Sequence, residues 1–68
     1  MKSIQALREE KSVVAQRVQA LMAASQQPGA NWTPENQSAY DADMASIEAI
    51  NAEIDRTERA LNLLKDGQ

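Results

Sequence analysis

Gln26-Gln27-Pro28-Gly29-Ala30-Asn31-Trp32-Thr33-Pro34-Glu35 is the stretch that decides the fold of this chain. Proline cannot continue a helix and disfavours the helical conformation in the residue before it, so a helix arriving from the N-terminal side ends near Ser25. The same stretch closes on a start signal. Thr33 can cap a new helix by accepting a bond from a free backbone N–H. Pro34, at the first helical position, has no N–H to waste. Glu35 puts negative charge at the positive end of the helix dipole. A stop followed so soon by a start makes the chain fold back on itself.

Two apolar stripes lie on either side of this bend. The first runs Ile4, Leu7, Val14, Val18 and Leu21 at heptad spacing, with Ser3 as a cap and Lys11 at one core position. The Lys11 stem can lie on apolar surface while its ammonium reaches water. The second runs Tyr40, Met44, Ile47, Ile50 and Ile54, then Leu61 and Leu64. The expected fold is all-α: an antiparallel two-helix hairpin, coiled-coil-like, with a helix over about 3–25, a loop over about 26–33 and a helix over about 34–66. At 1.5 Å per residue the second helix measures about 48 Å and the first about 33 Å, so the first is too short to cover the second.

Folding about the loop pairs residues whose numbers add up to roughly 59, which sets Ile4 against Ile54, Val14 against Met44 and Val18 against Tyr40. The expected hairpin core is therefore Ile4, Leu7, Val14, Val18, Leu21, Tyr40, Met44, Ile47, Ile50 and Ile54. This register brings Lys11 near Glu48, and Arg17 near Asp41 and Asp43. Exposed pairs of that kind select a register more than they stabilise it, at about 0–1 kcal/mol each. Trp32 precedes the cap, where an apolar residue often folds back onto its own helix. Gln37 occupies the usual partner position, so Trp32 is expected on the end of the first helix near Leu21 or Met22. Ser3 maps onto Arg56, which leaves residues 57–66 as an overhang of about 15 Å. Leu61, Leu63 and Leu64 lie there on more than one side of the helix, as a candidate self-association surface.

Composition narrows the function. Sixty-eight residues make a single domain, 1–68, with little capacity to bury a core alone. The chain has no cysteine and no histidine, which removes disulfides, the commonest metal ligand and the commonest general base. Oligomerisation is the remaining route to stability. A net charge of −3 argues against a nucleic-acid partner. Nothing approaches the roughly 20 apolar residues of a membrane span, and the acidic or mixed polar faces do not suit an anionic membrane surface. The close carboxylate pairs, Asp41-x-Asp43 and Glu9-Glu10, do not place both groups on one helical face. No catalytic residue, no cofactor-binding residue, no metal ligand and no cofactor is expected, so the chain reads as a non-enzyme.

Leu7-Arg8-Glu9-Glu10-Lys11, followed by the run Ala15 to Met22, resembles the first helix of the N-terminal scaffolding segment of tailed-phage major capsid proteins (the Hong Kong 97-type fold family). Thr33-Pro34-Glu35-Asn36-Gln37-Ser38-Ala39-Tyr40-Asp41-Ala42 is similar to the turn and second helix of that segment, with its Thr cap, acidic first turn and aromatic-Asp pair. Ile47-Glu48-Ala49-Ile50-Asn51-Ala52-Glu53-Ile54 fits its repeating Ile/Leu pattern. One departure stands out: Asp43 occupies a position where that family usually has Leu, with Met44 beside it.

The resemblance implies a scaffolding (delta) domain that promotes procapsid assembly through helix-helix contacts. Its partners would be other copies of itself or of the capsid protein, and a phage maturation protease that removes it. Its location would be the bacterial host cytoplasm, inside the procapsid. The alternative reading is a free-standing small helical adaptor or inhibitor that docks a partner helix.

Overall fold

The computed structural model of the protein describes residues 2–66, and it contains two helices. Helix α1 spans Ile4–Ser25 and α2 spans Pro34–Asp66. They pack side by side as a hairpin, in a rod of 60 × 17 × 17 Å. The lengths are unequal, 22 residues against 33, so α2 outruns its partner.

Local chemistry sets both starts. The Ala6 amide donates to Ser3 Oγ at 3.1 Å, and the Asn36 amide donates to Thr33 Oγ1 at 3.1 Å. Each hydroxyl thereby satisfies an amide that the helix itself leaves without an acceptor. The end of α1 tightens into shorter-range bonds, Gln26 N–H to the Ala23 carbonyl at 3.2 Å and Gln27 N–H to Ala24 at 3.3 Å. The chain then reverses through a turn in which the Ala30 amide donates to the Gln27 carbonyl at 3.0 Å. Pro28 supplies the fixed φ of the second turn position, and Gly29 takes φ +83° at the third. That is the type II arrangement, which requires a positive φ where Gly stands.

Burial is concentrated in the stem of the hairpin. Leu7 is 1% exposed and Val14 7%, one heptad apart on α1. Ile4, Val18, Leu21, Tyr40, Met44, Ile47, Ile50 and Ile54 are half-buried. A two-helix interface can enclose only its central row, and the flanking rows keep one side in water.

The half-buried cap Thr33 and, on α2, Asn36, Tyr40, Asp43, Ile47, Ile50, Ile54 and Thr57 trace one seam, with Glu53 half-buried at its flank. Their alternating spacing of three and four is that of a coiled-coil core. Asp43 therefore sits in the seam itself, with its side chain 16% exposed, and receives Arg17 Nη2 at 3.1 Å. Met44 is half-buried beside it. Arg17 is engaged with Asp43 and forms no ion pair with Asp41, whose Oδ1 accepts the Gln37 side-chain amide at 2.8 Å. Among the described residues Lys11 and Glu48 form no ion pair.

Trp32 takes two partners that its place before the cap does not point to. Its indole N–H donates to Gln37 Oε1 at 2.8 Å, and its ring meets Tyr40 edge-on, with centroids 6.1 Å apart at 73°. Gln37, read as a poor apolar partner, serves instead as a hydrogen-bond acceptor and holds the indole over the first turns of α2.

Candidate functional site

The free end of α2 is where this fold leaves its apolar surface open. Thr57 is half-buried, and Glu58 still meets Arg8 across the hairpin at 3.8 Å. Contact with α1 thus reaches slightly further than Arg56. Every residue from Glu58 to Lys65 is exposed. Leu61 is 47% exposed, and Leu63 and Leu64 are each 71% exposed.

Leu61 and Leu64 continue the seam in phase. The spacing that runs Ile47, Ile50, Ile54 and Thr57 carries on to Leu61 and Leu64 without a skip. The face that α1 covers along the stem is thus the same face that stands open beyond it. Leu63 lies on another side of the helix, 200° from Leu61 at 100° per residue. Over residues 57–66 these leucines stand among two bases, Arg59 and Lys65, and two acids, Glu58 and Asp66.

A second apolar surface lies on the flank of the stem. It is a shallow open groove lined by Glu10, Val13 and Val14 from α1 and by Ser46, Ala49 and Ile50 from α2. Val13 stands at its edge, 54% exposed. The Ser46 hydroxyl is turned away to its own helix and donates to the Ala42 carbonyl at 3.1 Å, so it offers the groove no free donor. Glu10 closes one end. Its Oε1 accepts the Lys2 ammonium at 2.8 Å, while its Oε2 is shielded from water and has no hydrogen-bond partner. The Lys2 ammonium is held above its ordinary value by that hydrogen bond to Glu10, and further by the charge on the same carboxylate.

Each residue expected to matter has a clear place. Ile4, Leu7, Val14, Val18 and Leu21 lie along α1, and Tyr40, Ile47, Ile50 and Ile54 lie along the α2 seam, with Met44 at its side. Thr33 caps α2. The groove is the feature that sequence reading missed. Val13 stands one position off the α1 stripe and reads as surface, and Ala49 and Ser46 are small residues with no periodic signal of their own. Their juxtaposition depends on which flank of the two helices closes up.

Among the described residues no group of three or more carboxylates is placed to hold a metal ion. No helix of the described residues is long and apolar enough to cross a membrane. The chain matches no family model, no curated protein and no solved structure. What it does has to be argued from its own surfaces.

Proposed function

We propose that this chain is a non-enzymatic assembly module that works as the scaffolding (delta) segment of a tailed-phage major capsid protein does. Its partners are other copies of itself or of the capsid protein, contacted through helix-helix packing inside the procapsid in the bacterial cytoplasm. A maturation protease then removes it. The residue resemblance from Leu7 to Leu64 supports the identity of the partners.

One observation carries the assembly reading itself. The α2 seam continues past the end of α1 as Leu61 and Leu64, exposed by 47% and 71%. An apolar row that stays in phase with a packed seam is shaped to receive another helix, whereas scattered leucines at a helix end would not keep that phase. Contacts of this size are weak, as befits a part that associates and is later lost. Obligate interfaces bury far more apolar area than these leucines can supply.

The test is Leu61→Ser together with Leu64→Ser, followed by light scattering across a concentration series and by circular dichroism. The expected result is self-association at least about tenfold weaker, a loss of about 1.4 kcal/mol or more, with helicity largely kept. Association equal to the parent's would remove the overhang from the interface.

A further inference from the structure

We infer that two copies join by their overhangs, antiparallel and about a two-fold axis, so that each overhang covers the stretch of the other's seam that α1 does not reach. The inference rests on the self-assembly reading above. It adds the direction of the joint, its register and the number of copies at which it closes.

The unequal helices set the direction. Leu61 and Leu64 stand on the seam face of α2, the same face that α1 covers along the stem. In a parallel pair the two stems would lie side by side, and both α1 helices would stand between the two α2 helices. A helix with its side chains is about 10 Å across, whereas packed helix axes lie only about 8–10 Å apart. Two α1 helices in that gap would hold the overhangs apart. In an antiparallel pair the stems point away from each other, and α1 of each copy begins where the overhang of the other ends. The two α2 helices then share the overhang length of about 15 Å, and the apolar row is covered along a single two-stranded rod.

Heptad phase sets the register. Ile47, Ile54 and Leu61 fall at a, and Ile50, Thr57 and Leu64 at d. Antiparallel helices layer a against d, so Leu61 of each copy meets Leu64 of the other. The e positions beside these layers are Glu58 and Lys65, both exposed. In this arrangement e faces e, which sets Glu58 of one copy against Lys65 of the other, and the two-fold axis makes the pair twice. Charges at such flanking positions select partner and orientation. Within one chain Glu58 and Lys65 are about 10.5 Å apart along the axis, two turns of helix, and do not form an ion pair. Lys65 enters no ion pair among the described residues, and Glu58 meets Arg8 at the long distance of 3.8 Å. Residues 57–66 carry two bases and two acids, so two overhangs approach without net repulsion.

A contact between like surfaces is isologous and stops at two copies. The buried area is small, so the dimer is weak and must be read at high concentration.

Charge exchange in the full 68-residue chain is the decisive experiment. Glu58→Lys and Lys65→Glu each turn both cross-copy pairs into like charges. In sedimentation equilibrium over a concentration series, the parent is expected to reach the dimer and stop. Each variant alone should dimerise about five- to tenfold more weakly. An equimolar mixture of the two should recover the parent's affinity as a 1:1 pair, and so should the chain that carries both substitutions. Circular dichroism checks that each variant is folded. If Glu58→Lys loses helicity, Lys65→Glu and small-angle scattering of the parent dimer carry the test. The expected length of that dimer is about 105 Å, twice the 60 Å of one hairpin less the shared overhang. Variants that dimerise like the parent, a mixture that stays apart, a dimer no longer than one hairpin, or growth past two copies would overturn the two-fold joint while leaving self-assembly standing. A parent that remains monomeric throughout would overturn both.

Discussion

The two ends of this hairpin are built on different principles. At the bend, the named interactions are polar or aromatic and span at most a few residues of sequence: Ala30 to Gln27, Asn36 to Thr33, Asn36 Nδ2 to the Asn31 carbonyl at 3.3 Å, Trp32 to Gln37 and Gln37 to Asp41. Towards the other end, Leu7 is buried because α2 lies against it, and from Glu58 to Lys65 every residue of α2 is exposed. The bend is specified by its own sequence and could form early. The stem depends on pairing within the chain, and the overhang lies beyond that pairing. Along a single axis the determinants thus pass from local to intramolecular and, on the proposed assembly reading, to intermolecular.

The largest effect is expected in the stem. Leu7→Ala removes the most completely buried side chain, at 1% exposure, and is expected to cost about 2–5 kcal/mol. In a hairpin with so little fully buried surface, that should abolish the cooperative transition in a circular-dichroism melt at low protein concentration. A melt close to the parent's would mean that the bend holds the fold by itself.

Gly29→Ala acts on the bend. A Cβ at Gly29 would meet nothing within 4 Å, so the cost comes from its φ of +83° alone. The expectation is about 1–2 kcal/mol, read from a urea titration. A neutral result would show that the turn relaxes to another type and that its geometry is not what fixes the register.

The smallest effect concerns the start of α1. Lys2 is tied to Glu10 and its ammonium is held above its ordinary value of 10.5. A raised native value means that the tie is fully present below about pH 10.5 and is lost as the pH rises through the shifted value. Both groups are exposed at the surface, so the loss should appear as local fraying near Ile4, seen by NMR, with the melting of the stem barely changed. A stem that weakens in step with Lys2 would place this pair among the determinants of the fold.

How much of this was readable beforehand differs by region. The bend was legible because Pro28, Gly29, Thr33 and Pro34 each have few alternatives: their backbone restrictions act whatever surrounds them. The seam was legible where it is apolar. At Asp43 the reading slid to Met44, because a carboxylate interrupts an apolar stripe, and only the position of Arg17 on the other helix makes it a suitable seam residue. A Trp before a helix cap points to an apolar partner, and nothing in the pattern points to the amide acceptor at Gln37 or the Tyr40 ring two turns along. The overhang followed from comparing helix lengths. The groove did not, because it is made by the spacing between two helices, and no single helix carries that information.

The placement of the locks at one end also sets a clock. Closing a loop of about ten residues takes about 10–100 ns, so the bend can form before any distant pair meets, and each later pair adds next to one already made. Unfolding then runs in reverse, like a clasp that parts at its free ends while its spring stays bent. Amide protection should be highest around Val14 and its opposite stretch near Ser46, and should fall away towards Ile4 and Lys65. The strip proposed to meet another copy is thus the strip that breathes most, and binding there would quiet motion that the isolated chain leaves running.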